Sequence, residues 1–223
     1  MRLLIVNPNT SAEITALVES EARKVIAPDT EIVAVTASFG VPYIGSREAI
    51  AIAGDAALDA FEKARAGAGR PFDAVLLACF GDPGLAAIKK IAGCPVVSFA
   101  DASCTAAAAI CGRFSVVTGG AAWVPILHEF FASLGYGRRI ASIRAVALTG
   151  ADIAADPAAA LAGLRAEVDA CIDHDGAEAV ILGGAGLAGI ARRLASGARV
   201  PLIDSVSTGV IQAAALARMR IGR

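Results

Sequence analysis

One thiol invites a chemical reading before any other residue. Cys79 follows the apolar run in 73-DAVLLACFGDPGLAAIKKIAG-93, and a related segment returns at 178-EAVILGGAGLAGIARRLASG-197. The two align with a constant offset of 105 residues through the first half of the match, Asp73 with Glu178 and Leu77 with Leu182, which sets Cys79 opposite Gly184. A thiol is suited to moving a proton at carbon. Removing a proton beside a carbonyl leaves an enolate, so the site must supply a base near that carbon and donors for the new oxyanion. A free thiol ionises at about pH 8.5, and a helix N-terminus lowers that value. Asp82 and Pro83 predict the N-cap and first residue of a helix, so the Cys79 thiolate is expected to feel exposed amides and the positive end of a helix dipole. The alternative for Cys79 is a buried structural cysteine at a strand end. The neighbouring glycines permit close approach of backbone to a ligand, making Phe80, Gly81, Ala185 and Gly186 candidate amide donors. Ordinary strand-to-helix turn chemistry is equally compatible with them.

Other polar groups fall at matching strand ends. Asn9 and Thr10 follow the first strand, and Thr118 and Gly119 end the fifth. An Asn amide and a Thr hydroxyl suit a carboxylate or imide oxygen; helix capping competes as the role of Thr10. The loop bearing Pro42, Tyr43 and Ile44 is a candidate lining for the substrate side chain. Asp82 reads as a cap rather than an acid, and Asp204 as a polar helix start. Cys94, Cys104, Cys111 and Cys171 read as core, and His128 and His174 as exposed helix-end residues.

The elements that must position these residues alternate regularly. Short apolar runs predict strands at 3–6, 31–37, 74–78, 95–99, 114–118, 142–148, 179–183 and 201–204. Between them lie amphipathic or capped stretches predicting helices at about 11–26, 47–66, 101–112, 121–134, 157–173, 186–196 and 206–219, with a further one opening at Asp82. Strand runs without apolar-polar alternation are buried on both faces, and strict strand-helix alternation gives parallel sheets. The order repeats: Arg2–Asn7 corresponds to Arg113–Thr118, and Pro95–Val97 to Pro201–Ile203. The fold class is therefore α/β, as two pseudo-symmetric four-stranded parallel βα domains with the active site in the cleft between them. The first domain is expected to span 1–98 plus about 205–223, and the second 99–204. Ligands bind beyond the carboxyl ends of strands in such sheets, which places Cys79 and Gly184 on opposite walls of one cleft.

Composition excludes several classes of partner. Twenty basic residues balance 21 acidic ones, with no like-charge block to make a nucleic-acid surface. No apolar run approaches the roughly 18 residues of a membrane span, and MRLLIVNPNTS does not read as a signal peptide because Asn-Pro-Asn ends its short apolar run. Five cysteines without C-x-x-C spacing argue against a disulfide framework or a zinc site, and the two histidines lie in no ligand motif. A cytoplasmic protein without a metal is expected.

The opening IVNPNTS, the cysteine of ACFGDPGL and the matching ILGGAGLAG together resemble the aspartate/glutamate/hydantoin racemase superfamily, with the nearest likeness to hydantoin and allantoin racemases. The resemblance covers nearly the whole chain. It implies no cofactor, a small carboxylate or imide substrate between two domains, and two facing cysteines, one removing the α-proton as thiolate and the other delivering a proton to the opposite face. A homo-oligomer is also expected. Cys79 matches the first cysteine, while the second position is Gly184. Arylmalonate decarboxylase, in the same superfamily, also keeps a single thiol, but at the other position. The expected activity is thus a racemase or related isomerase. A single-thiol decarboxylase of a malonate-type acid and a small-ligand binder without catalysis are the alternatives.

Overall fold

The computed structural model describes residues 1–219; the expected extension of the first domain over 220–223 lies outside them. Eight strands form two separate four-stranded parallel sheets. The first contains β1 (Arg2–Asn7), β2 (Glu31–Thr36), β3 (Ala74–Leu77) and β4 (Val96–Ser98), in the order β2-β1-β3-β4. The second contains β5 (Phe114–Gly119), β6 (Ile140–Val146), β7 (Ala179–Leu182) and β8 (Leu202–Asp204), in the equivalent order β6-β5-β7-β8. Registers match as well: Leu3 pairs with Ala74 across β1–β3, and Phe114 with Ala179 across β5–β7.

Successive strand residues point to opposite faces, and both faces here are apolar. Leu3, Ile5 and Leu76 of the first sheet share a central core with Phe114, Val116 and Ile181 of the second. Into that core pack α1 (Ala12–Arg23), α4 (Phe99–Ile110), α5 (Trp123–Ser133) and α9 (Ser205–Met219), through residues such as Val18, Cys104, Leu127 and Val210. On the outer face of the first sheet, Leu4, Val6 and Leu77 meet Phe61 of α2 (Arg47–Ala66) and Ile88 of α3 (Leu85–Ile91). On the outer face of the second, Val117, Val180 and Leu182 meet Leu164 of α7 (Pro157–Asp173) and Ile190 of α8 (Ile190–Leu194). Each fully buried aliphatic or Phe side chain contributes about 1.5–3 kcal/mol, so the strand ends at the cleft rest on a rigid support.

Caps set the helix boundaries. Ser46 accepts from the Ala49 amide and opens α2, and Asp156 accepts from the Ala159 amide with Pro157 at the first helical position of α7. Three sequence expectations are corrected. The α1 cap is Ser11, whose hydroxyl accepts from the Ile14 amide, and not Thr10. A helix over 186–196 is broken into a 3-10 turn at Ala185–Leu187 and α8, because Gly189 adopts a left-handed conformation and gives its amide to Asp204. An unforeseen short helix, α6 (Gly150–Ala155), follows β6. Its signal was in the sequence: Thr149 and Asp152 form a reciprocal capping box.

The last helix returns to the first sheet, where α9 packs on β3, β4 and α4. A glycine makes this approach close. A Cβ at Gly209 would lie 2.9 Å from Leu76 Cδ1 and 3.0 Å from Phe99 Cδ1, both side chains being fully buried. Gly209→Val is expected to overpack the contact and cost about 1–3 kcal/mol. In thermal unfolding, each kcal/mol at this chain length lowers Tm by about 2–4 °C. An unchanged Tm would mean that α9 does not press on the sheet.

Candidate active site

The carboxyl ends of β1, β3, β5 and β7 meet around one small cavity of about 60 Å³. Eleven of the residues singled out in the sequence line it: Asn9, Pro42, Tyr43, Ile44, Cys79, Phe80, Thr118, Gly119, Gly184, Ala185 and Gly186. Two do not. Thr10 gives its amide to the Val41 carbonyl at 3.1 Å. Gly81 packs under Trp123, where a Cβ would lie 2.8 Å from Cζ3, and turns its amide toward the Cys79 sulfur.

Cys79 and Gly184 extend matching strands from opposite sheets. The Ala78 amide bonds the Val6 carbonyl at 2.8 Å, and the Gly183 amide bonds the equivalent Val117 carbonyl at 2.9 Å. The Cys79 thiol is buried, with 8% relative exposure. Burial pushes its pKa up to about 12; the Gly81 amide opposes the rise, the Asp82 carboxylate adds to it, and the Phe80 amide opposes it. This corrects the expectation of a helix-lowered thiolate. The helix after Cys79 begins only at Leu85, behind a left-handed Gly84 with no side-chain cap. Asp82 is accordingly not an N-cap. Its φ is 52°, its Oδ2 accepts from Ser98 Oγ at 2.6 Å, and its side chain does not line the cavity.

The cavity lining is open at Gly184. A Cβ there would meet only Leu187 Cδ1 at 3.7 Å and Thr118 Oγ1 at 3.9 Å, which is ordinary contact. The backbone is the restriction. Gly184 has φ 129° and ψ 148°, a conformation held essentially by glycine alone, and gives its amide to Ser205 Oγ at 3.3 Å. Close approach explains Gly186, where a Cβ would fall 2.0 Å from the Gly150 carbonyl oxygen.

Polar groups frame this cavity. Asn9 Oδ1 accepts from Asn7 Nδ2 at 2.8 Å and from the Ser11 amide at 2.9 Å. The Thr118 hydroxyl donates to the Gly183 carbonyl at 2.9 Å, so it presents lone pairs, contrary to the donor role read from sequence. Tyr43 crosses between the halves and donates its hydroxyl to the Gly119 carbonyl at 3.1 Å. Burial raises the Tyr43 pKa, which keeps that phenol protonated. Ile14, Ala78, Trp123, Leu127, Gly150, Ala151 and Leu187 complete the lining beyond the residues singled out. The repeat carried a signal for Gly150 and Ala151, because they follow β6 as the Pro42–Ile44 loop follows β2. Asp204 is a helix-start residue, accepting from the Ser207 and Gly189 amides at 2.8 and 2.7 Å. Among the described residues, no group of three or more His, Cys, Asp or Glu is placed to hold a metal ion, and no helix is long and apolar enough to cross a membrane.

Two parallel sheets of identical strand order, closing one cavity between the ends of matching strands, define a pseudo-symmetric α/β class. Residues 3–213 match the Asp/Glu/Hydantoin racemase family, and the chain belongs to that family. It is 35% identical over 212 residues to the hydantoin racemase of Pseudomonas sp. (strain NS671), spanning 94% of this chain and 83% of that protein. Its structure is similar to that of allantoin racemase from Pseudomonas fluorescens, with a TM-score of 0.92 and 32% identity over 98% of this chain and 92% of that one. Arylmalonate decarboxylase, at a TM-score of 0.66 and 17% identity over 97% and 92% of the two chains, shares the fold alone. The family and these racemase relatives make the chain a racemase, and so an isomerase.

Proposed function

We propose that the chain is a cofactor-independent racemase acting at the α-carbon of a hydantoin, allantoin or amino-acid-type substrate, with the Cys79 thiol as its proton-transfer group. The observation that supports this reading is that Cys79 and Gly184, which follow the matching strands β3 and β7, both line one cavity. The substrate's carboxylate or imide oxygens take hydrogen bonds from the Asn9 amide and from backbone N–H groups of the strand-end loops. Cys79 exchanges the α-proton on one face. On the other face, where glycine stands, a water molecule supplies the proton.

A second reading has its own support. A thiol held neutral, with a pKa near 12, is a proton donor before it is a base. Opposite it, Gly184 leaves room for a departing group. A malonate-type acid losing carbon dioxide leaves an enolate that needs one proton from one face, and Cys79 can supply it. A substrate panel separates the two. Racemisation of optically pure hydantoins, allantoin and amino acids is followed by polarimetry, and carbon dioxide release from an α-substituted malonate is followed in parallel. The racemase reading predicts Cys79-dependent loss of optical rotation. Carbon dioxide release without racemisation would replace it with the lyase.

A further inference from the structure

The turn after Cys79 holds a carboxylate that the proton-transfer scheme leaves unused. Asp82 is the one non-glycine residue with positive φ among the described residues, at 52°. Its Oδ2 accepts from Ser98 Oγ at 2.6 Å, while its Oδ1 is buried without a hydrogen-bond partner. Ser98 Oγ also accepts from the Asp101 amide at 3.3 Å, which ties Asp82 to the first turn of α4. A carboxylate with one oxygen bare and buried is a costly state, whereas the neutral acid avoids burying a charge.

We propose that Asp82 is a positioning residue for Cys79, working as a neutral acid in the turn behind the thiol, and that its ionisation suppresses formation of the Cys79 thiolate. The inference rests on the reading of Cys79 as the proton-transfer group. Burial raises the Asp82 pKa to about 7; the Ser98 hydrogen bond opposes the rise, Asp101 adds to it and Lys89 opposes it. The titratable groups facing Asp82 are Lys89 of α3, Asp101 and Cys104 of α4, and Cys79 itself. An ionised Asp82 adds a negative charge beside the sulfur and raises the Cys79 pKa further. Protonated, it leaves the Gly81 and Phe80 amides as the groups acting on the sulfur against burial.

The test compares the parent with Asp82→Asn, a near-isostere that cannot ionise and tolerates positive φ. The readout is the rate of Cys79 alkylation by iodoacetamide from pH 6 to 8.5, with the modified residue identified by peptide mass. The variant is expected to match the parent at pH 6 and to react at least about threefold faster at pH 8.5, because only the parent gains the opposing charge. Ser98→Ala removes the bond that favours the ionised acid, so it is expected to shift the pH at which the parent slows upward. Stability supplies an independent readout. A carboxyl whose pKa is raised on folding stabilises fully below its unfolded pKa, and that contribution is lost as pH rises through the folded value. The Tm of the parent relative to that of Asp82→Asn is therefore expected to fall between about pH 4 and 7. A ratio of alkylation rates that is constant with pH, or below one throughout, would assign Asp82 a purely structural role and overturn the proposal. Alkylation is measured without turnover. If Cys79→Ala kept full activity, the functional reading would fail while the effect of Asp82 on the thiol remained measurable.

Discussion

Replacing Cys79 by alanine is expected to lower α-proton exchange by about 10²–10⁴-fold, the usual contribution of a positioned acid or base. No other thiol is placed to substitute. Cys104 and Cys171 are fully buried in the core, and neither Cys94 nor Cys111 lines the cavity. The substitution leaves the fold intact, because it removes one atom at the rim of a cavity. On the proposed reading Asn9 and the backbone amides still bind substrate, so the loss is expected in kcat with KM little changed. The check is steady-state polarimetry together with deuterium exchange followed by proton NMR. A variant with parental kcat would show that Cys79 is a core residue placed beside a cavity where it does no chemistry.

The second large effect runs the other way. Gly184→Cys adds a second thiol to the cavity that Cys79 lines and is expected to raise the rate of inversion by up to about 10²–10⁴-fold. Space is not the obstacle, since the nearest atoms to a Cβ lie at 3.7 and 3.9 Å. The backbone is. At φ 129° a cysteine is strained by about 1–3 kcal/mol, and relief requires a turn of the peptide that the Gly184–Ser205 hydrogen bond resists. The gain in rate is therefore accompanied by a lower Tm. Gly184→Ala is the control: it carries the same backbone strain without a proton donor, so it loses stability and gains no inversion. If both variants inverted substrate equally fast, the effect would come from backbone rearrangement, and the thiol pairing would be wrong.

Much of this architecture was legible because the repeat fixes it. Strands buried on both faces read as unbroken apolar runs, and α2 and α7 fell at their expected bounds because Ser46 and Asp156-Pro157 cap them locally. Local signals failed where tertiary contacts override them. Asp82-Pro83 has the sequence of a helix start, yet the Asp82 side chain is held by Ser98 from another strand, and the helix waits until Leu85. The juxtaposition of Cys79 and Gly184 followed from the offset of 105 residues alone. The protonation of Cys79 did not, because it depends on desolvation by distant elements. The direction of the Thr118 hydroxyl was hidden for the same reason: its acceptor, the Gly183 carbonyl, lies 65 residues away. The Gly184 conformation is likewise a property of the folded loop, and no residue type announces it.

The central claim is that a single thiol serves one face of the substrate carbon while glycine stands on the other. Its most direct test is α-proton exchange in deuterium oxide, begun separately from each enantiomer of a hydantoin or amino-acid substrate that the chain turns over. Deuterium content and configuration are read together in the parent and in Cys79→Ala. The account predicts that one enantiomer exchanges faster than it inverts, its α-hydrogen facing Cys79, that the other exchanges more slowly, and that both processes depend on Cys79. Equal exchange and inversion from both enantiomers, unaffected by loss of Cys79, would contradict it.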